Sequence, residues 1–141
     1  MQKRECVFFF LLLSLAACGD GERQTESRKS SNEIDAARNF IQAALVGDFD
    51  RARLFMINDS LNTEGLNAIE RLNERLSKVE REQYQVASIR IHENRRLNDS
   101  VHIISYSNSY KNRVDSLRVV KSKGDWLVDF KFIFSKEDSL P

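Results

Sequence analysis

The sequence predicts an α+β domain in which N-terminal helices pack on a bent, four-stranded antiparallel meander. Two observations carry this prediction. Apolar residues recur at helical spacing up to about Gln83, and at every second position after it. Short polar connections of hairpin length then divide the second half of the chain into four runs. Helices followed by consecutive strands are typical of an α+β fold, whereas an α/β fold alternates them.

The composition fits one folded domain and excludes several other classes of protein. The chain has 141 residues, of which 41% are apolar and 30% charged. It holds 22 basic and 21 acidic side chains, so its net charge is close to zero. A disordered polyelectrolyte is therefore excluded. A surface that follows phosphate backbones needs clustered positive charge, so we expect no nucleic-acid partner.

Three helices are predicted before the sheet. Either Ser30 (with Glu33) or Asn32 (with Asp35) can cap the first helix, and Gly47 can end it. Asp48 can cap a short second helix that runs to about Ile57. The buried side of the first helix is predicted to hold Ile34, Ala37, Phe40, Ile41, Ala44 and Leu45. A third, longer amphipathic helix is predicted from the spacing of Leu66, Ile69, Leu72, Leu76 and Val79.

The four predicted strands are Tyr84–Asn94, Ser100–Tyr110, Arg113–Ser122 and Asp125–Phe134. Two-residue turns are expected at Leu97–Asn98, Lys111–Asn112 and Lys123–Gly124. Centring each hairpin on its turn predicts three rows of neighbours on one face, with Arg118 opposite Asp129 on the other face. These rows are Ile91, Ile104, Val119 and Val128; Ile89, Tyr106, Leu117 and Phe130; and Ala87, Asn108, Asp115 and Phe132.

The N-terminus has the pattern of a secretory signal. Lys3 and Arg4 precede an apolar run that is shorter than the ~20 residues needed to cross a bilayer. The segment Leu15–Ala16–Ala17–Cys18 then resembles the lipobox of bacterial lipoproteins. That resemblance implies removal of residues 1–17 and a lipid on Cys18, which would anchor the protein to a lipid bilayer. We therefore expect a signal peptide at 1–17, a lipidated cysteine and tether at 18–31, one domain at 32–136 and a tail at 137–141.

The cysteines and the residue after Cys18 bear on chemistry and location. Cys6 leaves with the signal peptide and Cys18 carries lipid, so the folded domain keeps no cysteine. Disulfides, thiol catalysis and Cys-ligated zinc are thus excluded, and we expect no metal and no cofactor. The residue after Cys18 is Gly19, not the aspartate that favours inner-membrane retention in enterobacteria. The expected location is the bacterial cell envelope, lipid-anchored in the outer membrane.

The segment Ala43–Asp48, with Ala52 after it, is similar to a family of small bacterial lipoproteins of unassigned function. The hairpin Leu117–Asp129, with its Gly124 and a strand led by Trp126, also resembles that family. Its members are labelled lumazine-binding-like or placed with cystatin-like and nuclear-transport-factor-like cones. The resemblance covers roughly residues 32–134 and implies a cone whose helices and concave sheet face enclose a pocket.

Polar residues on the predicted inner face are the candidate ligand-binding residues. Tyr106, Asn108 and Asp115 interrupt an otherwise apolar surface, and His102 lies toward the other end with Glu93 predicted opposite it. Two residues do not make a transition-metal site, so a histidine with ordinary hydrogen bonds is the expected interpretation of His102.

Two functions from different classes follow from these residues. The first is a non-catalytic module that binds a small apolar ligand or an envelope protein. The alternative is a small pocket enzyme, isomerase-like or dehydratase-like. The resemblance to ketosteroid-isomerase-like cones implies Asp115 as its base and Tyr106 as its hydrogen-bond donor. A homodimer through the convex sheet face is compatible with either function.

Overall fold

The computed structural model describes residues 30–135, and the side chains of residues 30–133. The predicted signal peptide, Cys18, most of the tether and the tail at 137–141 lie outside the described residues. The elements are α1 Glu33–Val46, α2 Phe49–Leu54, α3 Ser60–Glu74, α4 Lys78–Gln85, β1 Ile89–Asn98, β2 Val101–Asn108, β3 Asp115–Ser122, β4 Asp125–Asp129 and α5 Phe132–Ser135. The α+β class and the antiparallel meander, in the order β1-β2-β3-β4, are confirmed.

The first helix begins and ends where the sequence predicts; the second begins at the predicted place but ends at Leu54, short of the predicted Ile57. The side chain of Asn32 accepts a hydrogen bond from the Asp35 amide, and that of Asp48 accepts one from the Arg51 amide. Gly47 ends α1 at a φ of 80°, in the left-handed region that a side chain would disfavour. These caps fix the reversal between α1 and α2 and therefore the direction from which α1 crosses the sheet.

The single long third helix was a wrong prediction, because two helices occupy that segment. α3 ends at Glu74, and Ser77 starts α4 with a capping box in which Ser77 and Glu80 bond each other's backbone amides. A capping box satisfies two amides that a new helix would leave unpaired, so it favours a fresh start over continuation. Tyr84 consequently belongs to α4, not to the first strand as predicted.

The register of the last hairpin is confirmed, and the other two are displaced. Val119 pairs with Val128, and Arg118 pairs with Asp129. Between β2 and β3, however, Ile104 pairs with Leu117 and Tyr106 with Asp115. Each of these two pairs differs by two residues from the predicted rows. A displacement of two keeps every side chain on its predicted face, since the side-chain period of a strand is two.

A bulge in β1 changes which residues face the helices. Ile91 pairs with Tyr106 and Glu93 with Ser105, so one residue is inserted between these pairs. Such a bulge exchanges the faces of the residues that follow it. The prediction that Glu93 lies opposite His102 is wrong. Glu93 pairs with Ser105, and His102 pairs with Arg96.

The fourth strand is shorter than predicted and its outer edge is covered. β4 ends at Asp129, and residues from Phe132 onward form the one-turn helix α5. Phe132 is therefore not in the sheet row with Ala87, and its ring lies 5.2 Å from the Arg118 guanidinium. The Ile57 amide and the Phe55 carbonyl bond the backbone of Val128 at 2.9 and 2.8 Å. This bridge satisfies backbone groups that an edge strand leaves open.

The core lies between α1 and the inner face of the sheet. Ala36 and Ala37 are fully buried, and their small side chains let the helix approach the strands closely. Leu117, Val119 and Val128 are equally inaccessible on the sheet side. Within residues 30–135, no helix is long and apolar enough to cross a membrane.

Candidate functional site

A cavity of about 660 Å³ lies between the helices and the inner face of the sheet. Its size falls within the ~300–1,000 Å³ range of small-molecule sites in proteins. Exposed side chains such as Leu72 and Arg113 stand at its border, so the cavity opens to solvent. The lining residues are Phe40, Ile41, Ala44, Leu45, Leu66, Ile69, Leu72, Asn73, Leu76, Tyr84, Tyr106, Asn108, Lys111, Arg113, Asp115, Phe130 and Ile133.

The deep wall of the cavity is apolar. Phe40 from α1 and Phe130 just after β4 pack together with their rings tilted and their centroids 5.2 Å apart, and both are buried. Leu66 from α3 is fully buried beside them. The helical spacing of Phe40, Ile41, Ala44 and Leu45 turns one side of α1 toward this space. These residues offer contact to an apolar group but no hydrogen bond.

Polar groups line the cavity where β2 and β3 are joined. Tyr106 and Asp115 are direct cross-strand partners there, not two residues out of row as predicted. The Asp115 carboxylate accepts a hydrogen bond from the Ser116 amide at 2.9 Å and lies 3.9 Å from Arg113. The side-chain oxygen of Asn108 accepts hydrogen bonds from the amides of Tyr110 and Lys111. The side-chain oxygen of Asn108 therefore shapes the turn at this end of the cavity.

Two cations at this end were not among the predicted site residues. Lys111 and Arg113 both line the cavity; Lys111 lies in the turn that Asn108 holds, and Arg113 follows it two residues later. The Lys111 ammonium lies 4.8 Å from the centre of the Tyr110 ring and 5.9 Å from that of Tyr84. Those two rings meet edge to face at 4.8 Å. This aromatic contact holds the ammonium at the cavity mouth, and the sequence Tyr110–Lys111–Asn112–Arg113 is the signal that could have indicated it.

The hydroxyl of Tyr106 stays protonated throughout the neutral range. Burial, and after it the negative charge of Asp115, raise the pKa of Tyr106 well above its ordinary value of 10.0, although Arg113 acts in the opposite direction. Within the described residues, no protein group is hydrogen bonded to this hydroxyl. Tyr106 is thus a hydrogen-bond donor at the border between the apolar wall and the polar mouth.

His102 does not join the other three candidate residues. It lies on the inner face but outside the cavity lining, with its ring edge-to-face against Trp126 at 5.3 Å. Its Nδ1 is 2.8 Å from the Asn94 side-chain oxygen, and the Asn94 amide donates to Glu33 at 2.8 Å. Burial opposes ionisation of Glu33, but hydrogen bonds from its own amide and from Asn94 hold the pKa of Glu33 below its usual range. His102 is thus part of a contact that ties α1 to the sheet.

The opposite face of the sheet carries a second, smaller hollow of about 380 Å³. His92 lies there, and its Nε2 is 2.8 Å from the Ser107 hydroxyl. His92 and His102 are therefore on different faces of the sheet. Among residues 30–135, no three histidine, cysteine or acidic side chains are grouped as a metal site would need.

Comparison with protein-family models, with curated proteins and with solved structures gives no match to this chain. Its function is therefore inferred from the geometry of the cavity.

Proposed function

We propose that the domain binds a small, mostly apolar molecule in this cavity and does not convert it chemically. The observation that carries the proposal is the open 660 Å³ space with an apolar deep wall and a few polar groups at one end. Convergence of few polar groups on an apolar cavity is the usual form of a small-molecule site. The apolar wall supplies affinity through removal of surface from water, and the polar groups set the orientation of the ligand.

The binding domain is proposed to act at a membrane of the bacterial cell envelope, anchored through lipid on Cys18. The support is the lipobox-like segment Leu15–Cys18 after a short apolar run. Several acyl chains anchor a protein stably, whereas a single chain binds marginally. A lipidated Cys18 would thus place the cavity near the outer membrane, where an apolar ligand or a partner envelope protein is reached without free diffusion in water.

The finer assignment of the fold is a cystatin-like or nuclear-transport-factor-like cone of the small lipoprotein family. What supports it is the helix-first order, the four-stranded meander and the cavity between helices and sheet.

A neutral fluorescent probe tests the binding function. Ala44 is half-buried on α1 and lines the cavity, so Ala44→Phe places a ring inside it. We expect N-phenyl-1-naphthylamine to gain fluorescence with the wild-type protein and to bind at least about tenfold more weakly to this variant. Gln42→Phe, at an exposed position of the same helix, is the matched control and should bind the probe as the wild type does. Equal binding by all three proteins would rule out this cavity as the site.

The pairing of Tyr106 with Asp115 supports one alternative, an isomerase-like or dehydratase-like enzyme. Asp115 would act as the base and Tyr106 as the donor to the developing oxyanion. Against this, the Asp115 side chain is 41% exposed and bonded to the Ser116 amide, whereas a strong base is usually shielded from water. Enolisation and dehydration assays with Asp115→Asn and Tyr106→Phe separate the two functions. If the wild type shows turnover and both folded variants lose it, the domain is an enzyme and the proposal of binding without catalysis is wrong.

A further inference from the structure

The cavity is divided by polarity along its length. Its deep wall consists of the buried side chains of Phe40, Leu66 and Phe130. Its charged lining residues, Lys111, Arg113 and Asp115, all come from one short stretch between β2 and the start of β3. A ligand that is apolar throughout would make no hydrogen bond or ion pair with these charged residues. A ligand that is polar throughout would lose its hydration against the deep wall without gaining hydrogen bonds there. The division suits a molecule with an apolar tail and a polar head.

The charges at the mouth favour an anionic head group. Asp115 lies 3.9 Å from Arg113 and offsets part of its charge. Among residues 30–135, by contrast, no carboxylate lies within 4 Å of the Lys111 ammonium, which is held by aromatic rings. Glu80 feels Lys111 at longer range, but its carboxylate is bonded to Ser77 in the capping box. Among the described residues, the Lys111 ammonium at the mouth therefore has no ion-pair partner.

Tyr106 adds a neutral hydrogen-bond donor to the lining of the same cavity, within the electrostatic reach of Arg113 and Asp115. Tyr106 lines the cavity as the cross-strand neighbour of Asp115, and no protein group within the described part of the chain is hydrogen bonded to its hydroxyl. A carboxylate oxygen accepts hydrogen bonds from both an ammonium and a phenol, and bonds to an ionised group are about twice as strong as neutral ones. A cationic head group would instead meet Lys111 and Arg113 with like charge.

We propose that the cavity binds a single-chain amphiphile with a carboxylate head, whose head lies at Lys111, Arg113 and Tyr106 and whose tail lies along the deep apolar wall. This inference rests on the proposed binding function and adds the chemical class of the ligand. Lys111 and Arg113 then determine the preference for a carboxylate head, and the residues of the deep wall determine which tail length the cavity accepts.

Three probes with the same tail and different heads test the ligand class. Decanoate, decanol and decyltrimethylammonium are compared for displacement of N-phenyl-1-naphthylamine from the full chain carrying Cys18→Ser, at low ionic strength. We expect decanoate to bind about tenfold more tightly than decanol, and decyltrimethylammonium to bind most weakly. From octanoate to decanoate, the affinity should rise about three- to fourfold for each added methylene.

The matched variants assign the preference to the mouth. In Lys111→Gln/Arg113→Gln the preference for decanoate over decanol should disappear while decanol still binds. Arg95→Gln/Lys123→Gln removes the same charge from exposed positions at the opposite end of the sheet and should keep the preference. Equal affinity of the wild type for decanoate and decanol would overturn the carboxylate assignment but leave probe binding, and hence the proposed function, intact. If Ala44→Phe binds the probe as tightly as the wild type does, the proposed function itself is overturned.

Discussion

At the scale of single residues, Phe130 shows how one side chain serves both stability and the cavity. Its ring is buried against Phe40 and borders the cavity at its deep wall. Phe130→Ala removes this contact and enlarges a space that already exists, so it should destabilise the domain by about 3–5 kcal/mol. Val79→Ala, at a side chain that is 65% exposed, should change the stability by less than about 0.5 kcal/mol. Urea denaturation measures both, and similar midpoints would place Phe130 outside the core.

The ionisation of Tyr106 couples the stability of the domain to pH in the alkaline range. Its pKa lies above that of an unfolded tyrosine because of burial and the charge of Asp115. Above pH 10 the unfolded chain therefore loses this proton before the folded chain does, and stability should fall as the pH rises further. Ultraviolet titration should show one tyrosine ionising above the ordinary range, absent in Tyr106→Phe. The stability of Tyr106→Phe should depend less on pH in this alkaline range. Three tyrosines with ordinary titration would contradict the burial of Tyr106.

At the scale of elements, the β3–β4 hairpin is set by two residues with positive φ. Lys123 has a φ of 51° and Gly124 one of 91°, which is the pattern of a type I′ turn. An added Cβ at Gly124 would meet no atom within 4 Å, so Gly124→Ala acts through backbone conformation alone. We expect a loss of about 1 kcal/mol in the free energy of unfolding. Lys123→Asn, which tolerates the left-handed region better, should be neutral or slightly stabilising. Thermal unfolding of both variants checks the turn, and an unchanged Gly124→Ala would contradict it.

The same hairpin explains which registers could be predicted. A Lys-Gly turn of two residues fixes its strands, so the Arg118–Asp129 pair follows from the sequence. The connection between β2 and β3 is longer than two residues because the Asn108 side chain bonds two amides and shifts the pairing. The bulge in β1 has no signal in the sequence, since His92 and Glu93 suit either face equally well. The register of a hairpin with a specific two-residue turn was therefore predictable, and the registers of the other two strand pairs were not.

At the scale of the whole molecule, the candidate site was predicted in part. Tyr106, Asn108 and Asp115 share a cavity because their face follows from alternation, which a displacement of two residues does not alter. Lys111 and Arg113 were missed because alternation does not extend into a turn. The place of His102 beside Asn94 depends on the bulge, so its separation from the cavity could not be deduced from periodicity.

The anchoring of the molecule gives a further prediction. If the segment Leu15–Cys18 directs lipidation, the mature protein begins at Cys18 and is heavier than its peptide mass by the mass of the lipid. Intact-mass analysis and metabolic labelling with a fatty acid measure this in the producing bacterium. Cys18→Ser should lose the label and leave the membrane fraction. A wild-type protein that is unlabelled and freely soluble would contradict the anchor.

The most direct test of the central claim, that the cavity binds a small apolar molecule, is a methyl NMR titration of the isoleucines with decanoate. Ile41, Ile69 and Ile133 line the cavity, whereas Ile103 is buried on the other face of the sheet and Ile57 lies at the edge of β4. The δ1 methyl signals of Ile41, Ile69 and Ile133 should shift in a saturable manner, and those of Ile103 and Ile57 should stay in place. Shifts confined to Ile103 and Ile57, or no saturable shift at all, would contradict a binding cavity between the helices and the sheet.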